Sequence, residues 1–111
     1  DETLMLGGLV EHLRVDGFTF RPRHPVELLV CDMVEKPARV VDLVARWFER
    51  GECRMAIFNL KLPMKRRFEE VELARHVLIS RLEKLQVRFR LVFRQLYHDR
   101  EEVTVLLSCV A

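Results

Sequence analysis

The stretch Glu27-Leu28-Leu29-Val30-Cys31-Asp32-Met33-Val34-Glu35-Lys36-Pro37 decides the fold. Its first five residues are an almost unbroken apolar run, the pattern of a strand buried on both faces, as in parallel sheets. Pro37 then suits the first turn of a helix, where its missing N–H leaves no hydrogen bond unmade. Val40, Val41, Val44, Trp47 and Phe48 follow at helical spacing and predict a face packed on a sheet. Gly51 is the expected stop. A strand followed directly by a covering helix is half of a parallel crossover unit.

Met55 to Leu60 supplies the next strand. A longer helix is predicted from about Arg66 to Leu85, with Phe68, Val71, Ala74, Leu78, Leu82 and Leu85 on its inner face. Beyond it the period changes to two. Val87, Phe89, Leu91 and Phe93 alternate with other residues, as do Val103, Val105, Leu107 and Cys109. The short polar turn Tyr97 to Arg100 between them makes an antiparallel hairpin. Upstream, Glu11 to Val15 reads as a short strand ending at Asp16-Gly17, and Phe18 to Pro25 as a loop. The expected fold class is α/β: mostly parallel strands with helical crossovers and a C-terminal antiparallel hairpin strand, in one domain over residues 1–111.

The composition is that of an ordinary soluble domain. The chain has 111 residues, half of them hydrophobic and about a third charged, with a net charge of +2. Mild basicity permits an RNA or phosphate partner without requiring one. No apolar run approaches the ~20 residues that span a bilayer, so no membrane partner is expected. Three cysteines, Cys31, Cys53 and Cys109, sit in apolar surroundings as an odd set, which predicts reduced thiols and a cytoplasmic location. The four histidines are scattered and no cysteine pair has zinc spacing, so no metal is expected.

Chain order also predicts a site. Right-handed crossovers make the strands before the helices parallel, and chemistry in such sheets gathers at their carboxyl ends. Asp32 lies just past the first of these strands and Lys61 ends the second. The last strand runs back, so Glu102, at its start, reaches the same rim. Each residue has a plain alternative: Asp32 as a cap or turn former, Lys61 as a snorkelling lysine, Glu102 as a solvated turn residue beside Glu101. Lys65-Arg66-Arg67 reads as the exposed first turn of a helix, or, with Arg21, as a grip on phosphate.

At four places the sequence resembles the FtsJ/RrmJ-like RNA 2′-O-ribose methyltransferases, and within them the bacterial enzymes that modify a cytidine of 23S ribosomal RNA. They are Val15-Asp16-Gly17-Phe18, the run Cys31 to Val40, the run Ile57 to Lys65, and the run Gln95 to Val105. The resemblance implies a partial Rossmann-like methyltransferase sheet whose last strand is antiparallel and inserted beside its neighbour. It implies S-adenosyl-L-methionine as cofactor and a Lys-Asp-Lys-Glu tetrad, to which Asp32, Lys61 and Glu102 correspond. Asp16 resembles the acidic residue that contacts the cofactor's adenine, and Asp32 stands on the cofactor side as well. The family's glycine-rich cofactor loop and first tetrad lysine have no counterpart in these residues, and Gly7-Gly8 does not replace the loop. The expectation is therefore the carboxyl half of a catalytic domain, inactive alone. A second expectation is a non-catalytic module that binds RNA or forms a homodimer through an exposed sheet edge.

Overall fold

In the computed structural model, residues 10–13, 21–32, 35–63, 65–95 and 102–110 are described. The element order is β1 (Val10–Leu13), β2 (Val26–Cys31), α1 (Pro37–Glu49), β3 (Cys53–Lys61), α2 (Arg67–Glu83), β4 (Arg88–Gln95) and β5 (Glu102–Val110). The strands form one mixed sheet in the order β1-β2-β3-β5-β4. β1, β2 and β3 pair in parallel. β5 runs against both of its neighbours and lies between β3 and β4. Four strands therefore share one direction, and their carboxyl ends form one rim.

α1 starts and stops where its sequence says it should. Pro37 occupies the first turn, and the Lys36 carbonyl accepts from the amides of Arg39 and Val40 at 3.0 and 3.2 Å. At the other end the Gly51 amide donates to Phe48 O at 3.1 Å and the Glu52 amide to Trp47 O at 2.8 Å, which is the Schellman arrangement. Gly51 has φ +67°, while a Cβ there would meet nothing within 4 Å. The left-handed backbone, not lack of space, is what favours glycine at this position.

Both helices pack on one face of the sheet. Val40, Val44 and Trp47 of α1 and Ala74, Leu78 and Leu82 of α2 close over Leu29, Phe58, Leu60, Val105 and Leu107 in a single core. Phe48 meets Phe89 edge to face, with ring centroids 5.9 Å apart. Between the helices, Arg81 donates from Nε and Nη2 to the two carboxylate oxygens of Glu49, at 2.9 and 2.6 Å, and from Nη1 to Asp42 at 2.7 Å. That fork fixes the spacing of α1 and α2.

One predicted core position is corrected. Phe68 shares the helical stripe of α2 but is 74% exposed, whereas Ala74, Leu78 and Leu82 are buried. The helix begins at Arg67, so Phe68 stands in the first turn, and Leu73 further along is also exposed. The stripe continues past the sheet that could cover it. Val71 and Leu85 are partly buried against the core. The predicted turn Tyr97 to Arg100 and Asp16 lie outside the described residues.

Candidate functional site

β3 and β5 bring two of the three rim residues face to face. Lys61 and Glu102 are direct partners in the antiparallel register, which sets their Cα atoms about 5 Å apart. The side chains along this pair sort cleanly. Ala56, Phe58 and Leu60 on β3 and Val103, Val105 and Leu107 on β5 are buried beneath the helices. Asn59 and Thr104 lie on the other face, where the Thr104 hydroxyl donates to Asn59 Oδ1 at 2.8 Å. Lys61 and Glu102 continue that polar row by alternation. The Asn59–Thr104 bond therefore braces the strand ends one pair behind the lysine and the glutamate. Neither residue stood out in the sequence, because a lone Asn and a lone Thr at separate strand ends are visible as partners only once register is known.

Asp32 reaches the same rim from the other side of β3. It follows Cys31, whose register partner on β3 is Phe58. Asp32 is thus level with Asn59, two residues short of Lys61 and about 8 Å from it, given a strand spacing of ~4.8 Å and a rise of ~3.3 Å per residue. It is exposed. Its charge helps hold the adjacent Cys31 thiol at about 12, after the larger effect of burial. Cys53 is likewise pushed up to about 12, chiefly by burial. Both are inert thiols buried in the fold. Among the described residues no group of His, Cys, Asp and Glu is placed to hold a metal ion.

Lys61 also borders an open groove of about 700 Å³ between the start of α1 and the first turns of α2, with Lys36, Leu62, Glu70 and Leu73 among its walls. A second groove, of about 490 Å³, lies on the far side of Leu62 and is bounded by Arg67, Phe68, Arg75, Phe93 and Val103. Leu62 lines both, so the two grooves adjoin at the end of β3.

The four predicted phosphate contacts divide between the two edges of the sheet. Lys65, Arg66 and Arg67 follow the carboxyl end of β3, with Leu62, Pro63 and Met64 between them and Lys61 in the sequence. Lys65 and Arg66 are exposed, and Arg67 Nε donates to the Pro63 carbonyl at 3.1 Å. Arg66, at the N-cap, is left-handed, with φ 62°, while Glu69 and Glu70 in the first turn suit the positive end of the helix dipole. Arg21 is elsewhere. Its Nε donates to Glu52 Oε2 at 2.8 Å, just ahead of β3, about 30 Å from Lys61 along that strand.

No family model matches the chain. Its similarity to curated proteins is extensive. It is 59% identical over 111 residues to the Ribosomal RNA large subunit methyltransferase M of Methylococcus capsulatus, which is all of this chain and 32% of that protein. It is 56% identical over 104 residues to the protein of that name from Cellvibrio japonicus, covering 94% of this chain and 30% of the relative. With that from Azoarcus sp. it shares 54% over 107 residues, 96% of this chain and 29% of the relative. The chain spans about a third of the length of the curated relatives it matches. Over its whole length, then, this chain is a homologue of the ribosomal RNA large subunit methyltransferase M family.

Proposed function

We propose that this chain is the acceptor-side part of a ribosomal RNA 2′-O-ribose methyltransferase, acting on a cytidine of 23S rRNA. The observation that carries the reading is the Lys61–Glu102 register pair, with Asp32 on the adjoining strand at the same rim. A ribose hydroxyl is a weak nucleophile until its proton leaves. Lys61 Nζ accepts that proton in the proposed reaction, which requires the amine to be neutral when transfer occurs. Glu102, its cross-strand partner, orients the lysine. Asp32 balances charge on the side from which the methyl group arrives. Holding these groups at fixed strand ends supplies positioning, a contribution of several kcal/mol in well-oriented sites.

S-adenosyl-L-methionine would supply an electrophilic methyl carried on a sulfonium. The residues present fit half of its site. Exposed Asp32, just past the carboxyl end of β2, is suitably placed, and the family resemblance assigns Asp16 a contact with the adenine. No glycine-rich loop occurs among these 111 residues to bring backbone amides up to the cofactor. The isolated chain is therefore proposed to transfer methyl groups weakly or not at all. A cytoplasmic location accords with the free thiols, and no helix among the described residues is long and apolar enough to cross a membrane.

The test uses the full-length protein that contains this sequence. Lys61→Ala should abolish methyl transfer to ribosomal RNA while leaving cofactor affinity, read by calorimetry, within a few fold. Near-normal turnover removes Lys61 from its role.

A self-associating module is the second reading, favoured by the sheet face away from the helices, where Met55, Leu106 and Val110 are exposed. The β4 edge argues against strand-to-strand pairing of two copies. Arg88, Arg90 and Arg94 lie along it and are exposed, and like charges brought together across strands repel.

A further inference from the structure

The groove beside Leu62 joins features that the proposed reaction does not use. Phe68 projects at its rim with 74% of its surface exposed, too much for a residue serving only the core. The opposite wall holds Phe93, with the Arg75 guanidinium stacked 4.5 Å from its ring centroid. Arg67 completes the lining, and Lys65 and Arg66 precede it in the chain. Among the described residues Glu72 is the one acidic group in the wall. It stands 3.8 Å from Arg75 Nε, a distance that leaves the guanidinium only weakly engaged. Two π faces and a cluster of cations around an open groove of about 490 Å³ match an unpaired nucleotide. Such a nucleotide stacks its base on aromatic or guanidinium planes and sets its phosphate against arginine or lysine.

We infer that the Phe68–Arg75–Phe93 groove binds one unpaired nucleotide of the RNA substrate, next to the nucleotide presented to Lys61. The inference rests on the proposed function for the identity of the RNA but stands on its own observations for binding. Adjacency is set by the fold. Leu62 and Val103 in the groove directly follow Lys61 and Glu102 in the chain. A strand of RNA crossing the rim therefore meets the groove immediately beside the lysine. Phe68 offers the sequence-tolerant stacking surface. Arg75, already over the Phe93 ring, extends it, and Arg67 with Lys65 and Arg66 faces the backbone. The groove takes single strands, because a base inside a duplex has no free face to stack.

The test compares Phe68→Ala, Phe68→Trp and Lys61→Ala in the full-length protein, using fluorescence anisotropy with a short single-stranded oligoribonucleotide and a duplex of the same sequence. Phe68 is exposed, so its replacement leaves folding intact. Phe68→Ala should weaken single-strand binding about tenfold, the scale of one lost base stack, and raise KM for methyl transfer with kcat little changed. Phe68→Trp should bind as well as the parent or better, and Lys61→Ala should retain RNA affinity. Unchanged single-strand affinity in Phe68→Ala overturns the inference, as does an equal loss for duplex and single strand. Altered self-association in Phe68→Ala, read by light scattering, with RNA binding intact assigns the groove to a protein contact and also overturns it. Full turnover in Lys61→Ala sinks the catalytic reading alone and leaves the groove standing.

Discussion

The two helices cover the same face of the sheet and are embedded in it very differently. α1 buries seven of its 13 residues, including Trp47 at 1% exposure. α2 buries three of its 17: Ala74, Leu78 and Leu82. α1 packs on β3 and, through Phe48, reaches Phe89 of β4. α2 buries residues only from Ala74 onward, sets Arg75 over Phe93 of β4, and leaves Phe68 in its first turn exposed at the carboxyl rim. The lesson is that this fold keeps its stability and its candidate chemistry in different helices. α1 anchors the sheet, while the start of α2 lines both grooves, the larger one shared with the start of α1, and follows the cations Lys65 and Arg66.

If that division is right, substitutions in α1 should be felt most. Trp47→Ala removes a wholly buried indole and should destabilise the chain by about 3–5 kcal/mol, read from the midpoint of a urea unfolding curve. Leu78→Ala, at the centre of the buried stretch of α2, should lose about 2–4 kcal/mol. A larger loss at Leu78 than at Trp47 would break the contrast.

The seam between the helices should respond to pH. The hydrogen bond from Arg81 is the main cause of a Glu49 carboxyl held below its ordinary value of 4.5. A carboxyl depressed in the folded state stabilises fully above its unfolded value and loses that contribution as pH falls through the folded value. Arg81→Met should thus lower stability by about 1 kcal/mol at pH 7, the scale for a pair partly open to solvent. The difference between variant and parent should shrink as pH drops below 4.5. A gap that stays constant down to acid pH would show that the guanidinium acts through packing alone.

The smallest expected effect is at the exit of α2. Gln86 has φ 57°, a conformation that strains a side chain by roughly 1 kcal/mol. Gln86→Gly should be neutral to slightly stabilising, by up to about 1 kcal/mol, in thermal unfolding. A clear loss would mean that the side chain makes a contact worth more than the strain.

Much of this architecture was legible in the residues. The apolar run at β2, Pro37 and Gly51 bound α1 correctly because each acts locally, through burial on both faces, a missing N–H and a left-handed φ. The start of β5 at Glu102 followed from strict alternation. Insertion of β5 between β3 and β4 rested on the family resemblance, since periodicity records which residues share a face and not which strands are neighbours. Phe68 misled for a related reason. A helical stripe shows which residues align, but where the sheet beneath it ends is a tertiary fact. At the rim, Asp32, Lys61 and Glu102 could be placed from strand direction alone, whereas the Asn59–Thr104 brace and the Arg21–Glu52 pair join residues 45 and 31 positions apart and left no mark in the sequence.

The most direct test of the central claim is a double-mutant cycle on methyl transfer in the full-length protein, with Lys61→Ala, Glu102→Gln and the pair. If the two side chains act as one unit across β3 and β5, Glu102→Gln should slow the parent substantially and add almost nothing once Lys61 is gone. Independent, multiplicative losses would contradict the account, because the register pair would then be two neighbours without a shared task.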